Sequence, residues 1–198
     1  MKILIDNGHG KETAGKCSPD GTLKEWAYTR EIARRVWEEL LHRGHEAILV
    51  CPADQDMPLS KRVRFVNDIV KEEGKDNVLL VSIHCNAAGN GSQWMKASGW
   101  EAYTSPGRTK ADRLAECFYK HAEKELSADF RVRVDRSDGD SDKEASFYIL
   151  AKTRCPAILT ENLFMDNRND VRFLLSELGK VKLTWLHVKA IVEYINNI

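Results

Sequence analysis

The sequence lacks an excess of charge of either sign, and it lacks any long apolar stretch. Its 198 residues include 30 Lys and Arg and 30 Asp and Glu, which give a formal net charge of +0. A balanced chain has no general electrostatic attraction for nucleic acid or for an anionic membrane surface, so any activity must come from a local site. No segment approaches the roughly 20 apolar residues that cross a bilayer, and we therefore expect no membrane span.

Cysteine pairs are also missing. The chain has five cysteines, an odd number, and none of them forms a C-x-x-C pair. This pattern argues against a disulfide framework and against a structural zinc knuckle. We expect reduced, mostly buried thiols at Cys17, Cys51, Cys85, Cys117 and Cys155.

The N-terminus does not have the pattern of a signal peptide, because Asp6 interrupts the apolar run 3–5. We therefore expect synthesis in the cytoplasm, unless a leader is missing from this sequence. We find no linker, internal repeat or low-complexity tract. With 42% hydrophobic residues, the chain can build one sizeable core, and we expect a single domain over residues 1–198.

Short buried strands alternate with amphipathic helices along the chain. Apolar runs predict strands at 3–5, 47–51, 77–84, 100–104 and 156–159. Apolar residues at helical spacing predict helices at 26–43, 59–73, 109–126, 168–178 and 181–195. This alternation indicates an α/β fold, which we expect to be a three-layer sandwich with a mostly parallel twisted sheet and helices on both faces.

Two further segments have weaker patterns. Residues 131–144 form the most polar part of the chain and contain the turn-forming sequence Ser-Asp-Gly-Asp. We expect a solvated, mobile loop there. Residues 146–150 are expected to form a short strand or a turn.

Ionisable residues end three of the predicted strands, at His9, His84 and Glu161, and Glu25 lies just before the first helix. Because the carboxyl ends of parallel strands meet at one edge of a sheet, where ligands bind, we expect the three strand-end groups to converge. Two histidines, a carboxylate and a further glutamate are what a catalytic zinc site requires: three protein ligands, an open position for water and a base.

Each of these residues also has a structural interpretation. His9 could close a turn, Glu25 could be a first-turn carboxylate favoured by the helix dipole, His84 could be a satisfied core histidine, and Glu161 could cap the turn after it. Their joint placement favours the metal site, because buried ionisable groups are costly unless they are paired or coordinated.

Five stretches then occur in an order that identifies a family. They are I-L-I-D-N-G-H-G at 3–10, the glutamate at 25 before a helix, L-S-K-R-V at 59–63 with an asparagine at 67, S-I-H-C-N-A at 82–87, and P-A-I-L-T-E-N-L-F-M-D-N at 156–167. Over essentially the whole chain, this order resembles the zinc-dependent N-acetylmuramoyl-L-alanine amidases of the Amidase_3 family, which are bacterial and phage cell-wall hydrolases.

The resemblance implies that His9, Glu25 and His84 bind one zinc ion and that Glu161 is the catalytic glutamate. It implies hydrolysis of the amide bond between N-acetylmuramic acid and the L-alanine of the stem peptide. The expected partner is peptidoglycan or a muramyl peptide, and we expect a monomer. Such a protein would act on the cell wall after its release, as a prophage endolysin does, or outside the cytoplasm if a leader is missing.

This sequence departs from the family pattern in two places. Asn162 follows the catalytic glutamate where family members usually have glycine, and the polar loop 131–144 is longer than usual; both bear on substrate preference. We further expect Asp6 and Asn86, which flank two ligands, to orient them from behind, and Arg62 with Asn67 to be structural.

Two alternatives belong to different classes of function. A zinc exopeptidase also has its site at the strand ends of an α/β sheet, and it would release single amino acids from a muramyl peptide. A non-catalytic wall-binding module could keep the fold, but it would need a broken metal set, whereas all four residues are present here.

Overall fold

The computed structural model describes residues 1–137 and 139–197. The elements in chain order are β1 (Lys2–Asn7), α1 (Glu25–His42), β2 (Ala47–Leu49), α2 (Leu59–Glu73), β3 (Val78–Asn86), β4 (Glu101–Thr104), α3 (Lys110–Leu126), β5 (Lys143–Glu144), α4 (Tyr148–Lys152), β6 (Ala157–Phe164), α5 (Arg168–Leu175) and α6 (Glu177–Asn196).

One six-stranded sheet forms the centre of the molecule, with the strand order β2-β1-β3-β6-β4-β5. Every pairing in it is parallel except that of β4 with β6, which is antiparallel. The predicted α/β fold with a mostly parallel sheet is therefore confirmed.

Alternate residues of the central strands feed two separate cores. On β1, Ile3 and Ile5 belong to the larger core, which packs under α1, α3 and α6, whereas Leu4 belongs to the smaller core beneath α2 and α4. Both sides of the sheet are covered, which explains why these strands appear as continuous apolar runs in the sequence rather than alternating ones. The three layers match the predicted sandwich.

The polar segment 131–144 is only in part the solvated loop that its composition predicts, since residues 135–137 are exposed but its flanks pair with the sheet. Val132 forms an isolated bridge with Trp100, and β5 pairs with β4 at the edge of the sheet. Asp142 is 2% exposed and accepts a hydrogen bond of 2.6 Å from the hydroxyl of Thr104. Pairing with β4 therefore draws polar residues inward. Asp138, which belongs to the predicted loop, lies outside the described residues.

Two element assignments from the sequence were also wrong. Residues 146–150 were expected to form a strand or turn, but the short helix α4 begins at Tyr148. Its single turn buries two consecutive residues, Ile149 and Leu150, and so it is too short to show helical periodicity. The predicted helix 168–178 stops at Leu175, because Ser176 caps α6, accepting a hydrogen bond from the amide of Gly179.

Four of the five cysteines are buried, and all five are free thiols, as expected. Among the described residues, we find no helix with the length and apolar character that crossing a membrane requires.

Candidate metal centre and cleft

His9 lies two residues beyond the end of β1, in a turn that its own backbone bends sharply. Its φ angle of 59° lies in the left-handed region, which is uncommon for a residue other than glycine. Two guanidinium groups hold this turn, because Arg30 and Arg62 donate hydrogen bonds to the carbonyl oxygen of His9, at 2.9 and 3.3 Å. The backbone conformation is thus fixed by buried side chains from α1 and α2.

Glu25 is the first residue of α1 and is 1% exposed. One carboxylate oxygen, Oε1, accepts a hydrogen bond of 3.0 Å from the backbone amide of Cys85 and lies 3.2 Å from Nδ1 of His84. The other, Oε2, lies 3.4 Å from Nε2 of His9 and makes no hydrogen bond with any described residue. A buried carboxylate oxygen without a partner is costly, and here it faces an imidazole.

His84 lies within β3, beside Gly8 of the β1 turn. A Cβ atom at Gly8 would come within 2.5 Å of Nδ1 of His84, so glycine is required there for the ring to fit. The rings of His84 and His9 meet edge to face with their centroids 5.3 Å apart. The two histidines therefore approach closely from neighbouring strands.

The ligand atoms of His9, Glu25 and His84 all lie within 4.8 Å of one another, and no second group of three or more potential ligands occurs among the described residues. Two imidazole nitrogens and one carboxylate oxygen are a donor set that suits zinc at a catalytic site with an open position. The unpartnered Oε2 of Glu25 supports the fit, since an ion held there would satisfy it.

Burial and the negative charge of Glu25 have opposite effects on the pKa values of the two histidines. Burial lowers the pKa of His9 to about 4, which leaves its imidazole neutral and able to ligate. Burial also acts to lower the pKa of His84, but the hydrogen bond and the charge of Glu25 outweigh it and raise that pKa. Since a metal ion needs a neutral imidazole, binding at His84 would displace a proton.

Glu161 lies opposite His84 across the β3 and β6 pairing. We expected the last strand to stop at residue 159, but the observed strand β6 continues to Phe164. Glu161 therefore lies within the strand rather than after it. Burial raises the pKa of its carboxyl group to about 7, and its Oε2 atom has no hydrogen-bond partner among the described residues. A carboxyl group with this pKa can both accept and donate a proton near neutral pH.

The three groups that were predicted to meet at the sheet edge do meet, and Glu25 lies against the two histidines. His9, His84 and Glu161 line a cleft of about 370 Å³. Its lining comprises Asp6, His9, Lys16, Asp56, Met57, Leu59, Arg62, His84, Phe147, Tyr148, Ile149, Leu159 and Glu161.

The side chains of Asp6 and Asn86, which were predicted to orient the ligands, make no hydrogen bond to the candidate ligands among the described residues. The carboxylate of Asp6 pairs with Arg62 at 2.8 Å and accepts a hydrogen bond from the hydroxyl of Ser82. Asn86 donates to the carboxylate of Glu101 at 2.8 Å. Both residues satisfy buried partners behind the site, and their closeness to the ligands in sequence was misleading.

Arg62 and Asn67, which were predicted to be structural, both make contacts that hold backbone segments, and Asn67 joins α2 to the segment after α4. Asn67 donates to the carbonyl oxygen of Lys152 at 2.9 Å and accepts from the amide of Arg154 at 3.0 Å. Arg62 is 2% exposed and binds Asp6, Asp56 and backbone carbonyls of the His9 turn.

Asn162, the departure from the usual glycine, points away from the cleft. Its side chain donates to the carbonyl oxygen of His84 at 3.0 Å and accepts from the indole of Trp100 at 3.0 Å. This residue therefore affects the placement of His84 rather than the lining of the cleft. The other departure, segment 131–144, also contributes no described residue to the lining.

Sequence reasoning missed the residues that surround the four central groups. Glu101, buried beside Glu161 on β4, binds Arg133 at 2.6 Å and Lys143 at 2.7 Å. Phe147 and Tyr148 line the cleft at 40% and 44% exposure. The only signal in the sequence was the pair of adjacent aromatic residues just after the polar segment.

Comparison with known proteins gives a consistent result. A family model described as N-acetylmuramoyl-L-alanine amidase matches residues 3–193. The chain is 34% identical over 178 residues to the N-acetylmuramoyl-L-alanine amidase CwlM of Bacillus licheniformis, covering 89% of this chain and 61% of that protein. It is 27% identical over 198 residues to the endolysin of Bacillus phage SPP1, covering 98% and 66%. The chain thus spans less than two thirds of either relative.

Two solved structures are similar to this chain over nearly their whole length. The N-acetylmuramoyl-L-alanine amidase AmiC2 of Nostoc punctiforme superposes with a TM-score of 0.81 at 25% identity, covering 100% of this chain and 98% of that one. An N-acetylmuramoyl-L-alanine amidase from Clostridium difficile 630 gives a TM-score of 0.83 at 22% identity, covering 99% and 97%.

Proposed function

This chain belongs to the N-acetylmuramoyl-L-alanine amidase (Amidase_3) family, and from that premise we propose that it is a zinc-dependent hydrolase of peptidoglycan. It cleaves the amide bond between N-acetylmuramic acid and the L-alanine of the stem peptide. The observation that carries this proposal is the meeting of His9, Glu25 and His84 within 4.8 Å, at a cleft that also contains Glu161.

The three proposed ligands contribute different donor atoms to the ion. His9 and His84 supply neutral nitrogen donors, and Glu25 supplies one negative charge that partly compensates the charge of the metal. A zinc ion held by these side chains would supply Lewis-acid activation of a water molecule and of the scissile carbonyl.

Glu161 handles the proton in this proposal. Its carboxylate accepts a proton from the attacking water and delivers it to the nitrogen of the departing peptide, so that the peptide leaves as an amine. An amide nitrogen is a poor leaving group unless it is protonated. The pKa of about 7, which burial produces, suits both halves of this transfer.

The test is the identity of the products from purified peptidoglycan, measured by mass spectrometry with and without a chelator. We expect peptides that begin with a free L-alanine, together with intact glycan, and no release after the metal is removed. Zinc added back to the treated protein restores the reaction. Single amino acids as products would indicate an exopeptidase instead, and undiminished cleavage with the chelator present would contradict the role of the metal.

The site of action follows from the substrate. We propose that the protein acts on the cell wall, as the name of the phage endolysin relative indicates for that protein.

We also propose that the 198 residues fold as one catalytic domain that works as a monomer, since all four reacting groups come from the same chain. Sedimentation at working concentration tests the monomer directly.

A further inference from the structure

A second cavity adjoins the catalytic cleft, and Lys16 lines both. This cavity has a volume of about 270 Å³ and lies in the connection between β1 and α1. Its lining comprises Lys11, Thr13, Gly15, Lys16, Cys17, Lys24 and Trp26. It contains three lysines and no carboxylate, in a protein whose formal net charge is +0.

The backbone holds two of these lysines next to each other. Cys17 and Lys24 form an antiparallel bridge, and the amide of Glu25 donates to the carbonyl oxygen of Lys16 at 2.9 Å. Leu23, 1% exposed, anchors the same loop in the larger core. The lysines are therefore carried on an ordered loop that ends at the metal ligand Glu25.

The acidic residues of this loop are engaged elsewhere. Asp20 accepts hydrogen bonds from the hydroxyls of Ser18 and Thr22, each at 2.7 Å. Glu12 accepts from the backbone amide of Asp56 at 3.0 Å. Within the described part of the chain, no ion pair involves Lys11, Lys16 or Lys24. Three unpaired ammonium groups around one cavity create a local positive potential that favours an anion.

Other residues of the cleft lining have a different character. Phe147 and Tyr148 expose large apolar surfaces, and Met57 and Leu59 also belong to the lining. The cleft thus presents apolar surface at these residues, whereas the adjoining cavity is basic. A substrate with one uncharged half and one anionic half would bind in a single direction.

We propose that Lys11, Lys16 and Lys24 form a subsite that binds carboxylate groups on the peptide half of the substrate. This inference rests on the proposed function, in which the bond that breaks joins an uncharged N-acetylated sugar to a peptide. The peptide carries carboxylates, at its C-terminus at least, and the sugar half does not. The subsite therefore fixes which half of the substrate departs on the loop side of the cleft.

The experiment uses two muramyl peptides that differ only in their peptide carboxylates, which are free in one and amidated in the other. We expect the wild-type protein to favour the free acid by about tenfold in kcat/KM, mainly through KM, because charge-assisted hydrogen bonds contribute on this scale. In the triple variant Lys11→Met, Lys16→Met, Lys24→Met, this ratio should fall to near one. Lys71→Met, at the far end of α2 from the cleft, should keep it.

Direct binding separates this inference from the proposed function. The released peptide, as free acid and as amide, is titrated into the zinc-loaded wild type and triple variant, with thermal unfolding as the check on folding. Tighter binding of the free acid by the wild type alone supports the subsite even if no hydrolysis occurs. Equal binding of acid and amide by the wild type overturns it, even if the amidase activity is present. A loss of kcat/KM in the triple variant that is equal for both substrates also overturns it.

Discussion

His84 and Glu161 face each other across two parallel strands. They are register partners on β3 and β6, so their side chains leave the same face of the sheet at the same level. Backbone pairing thus places the proposed metal ligand and the proposed proton carrier side by side, independently of their side-chain conformations. This relationship makes the two functions separable by substitution, since each residue can change without moving the other strand.

Glu161→Gln should retain zinc and lose about 10²- to 10⁴-fold in kcat, the range that a general acid or base contributes. The amide preserves the shape of the side chain but cannot accept the proton. Stability should be equal or higher above pH 7, because the substitution removes a buried carboxylate without a partner. Zinc content and turnover of a muramyl peptide provide the check. Glu116→Gln, on the exposed side of α3, is the control, and equal turnover in the two variants would refute the assigned role.

His9→Ala and His84→Ala should each weaken zinc binding by more than about 100-fold, which is the most that loss of an outer-shell partner usually costs. Each removes one of three protein donors. Metal content after dialysis against a weak chelator measures the effect. His42→Ala, at the exposed end of α1, should retain its metal. Full zinc occupancy in His9→Ala or His84→Ala would show that the substituted histidine does not bind the ion.

Gly8→Ala tests the packing of the site without changing a ligand. The new methyl group would lie 2.5 Å from Nδ1 of His84, so the ring must shift and its contact with Glu25 changes. We expect zinc affinity to fall by about 10- to 100-fold with little change in secondary structure. Gly89→Ala is the matched control, since its nearest contact is an ordinary 3.4 Å. Circular dichroism and zinc titration distinguish the two. An unchanged zinc affinity in Gly8→Ala would contradict this prediction, because it would mean that the backbone accommodates the methyl group without displacing the ring of His84.

Arg62→Met should destabilise the fold by about 3 to 5 kcal/mol, because it leaves the carboxylate of Asp6 buried without its partner. Urea unfolding provides the free energy. The double variant Asp6→Asn, Arg62→Met should recover part of this loss, since the uncompensated charge is then gone. Lys61→Met, exposed on the same helix, should change stability by less than about 0.5 kcal/mol. A double variant no more stable than Arg62→Met alone would argue against charge burial as the cause.

Asp142→Asn should alter how stability depends on pH. Burial first, with the neighbouring charges of Asp140 and Asp112, raises the pKa of Asp142 to about 7 in the folded protein, whereas its ordinary value is 3.8. Between these values the folded state binds more protons than the unfolded state, so the contribution of Asp142 to stability is full below about pH 4 and is lost as pH rises towards 7.

The measurable quantity is the difference in free energy of unfolding between Asp142→Asn and the wild type. It should shift in favour of the variant as pH rises from 4 to 7 and then level off. Asp68→Asn, exposed on α2, should show no such trend relative to the wild type. A difference that is flat with pH would mean that Asp142 titrates normally in the folded protein.

Much of the fold was predictable because burial leaves a clear pattern. The strand at 77–84 has an almost unbroken apolar run, and Val78 to Ile83 are indeed 0% exposed on a strand covered on both faces. Helices α1, α2 and α3 end within a residue of their predicted bounds, since each has a full apolar face. Long periodic segments determine their own structure with little help from tertiary contacts.

The rest of the molecule depends on contacts that a linear pattern does not contain. Asp142 is polar by composition but is buried because β5 pairs with β4. Asp6 lies close to a ligand in sequence, yet its carboxylate pairs with Arg62, 56 residues away. The four central residues of the candidate site could be predicted because each is an ionisable residue that follows an apolar run or precedes a helical pattern. Lys16 was not, because nothing in its own sequence surroundings distinguishes it from other surface lysines.

The proposed ligands His9, Glu25 and His84 come from a turn, the start of a helix and the interior of a strand, all in the first half of the chain. An ion bound by all three residues would link these elements in the native state. Because it binds the native state and not the unfolded chain, it would stabilise the native state by mass action. Loading with metal should therefore raise the melting temperature and protect the backbone amides of β1 and the start of α1 from hydrogen exchange more than those of α6.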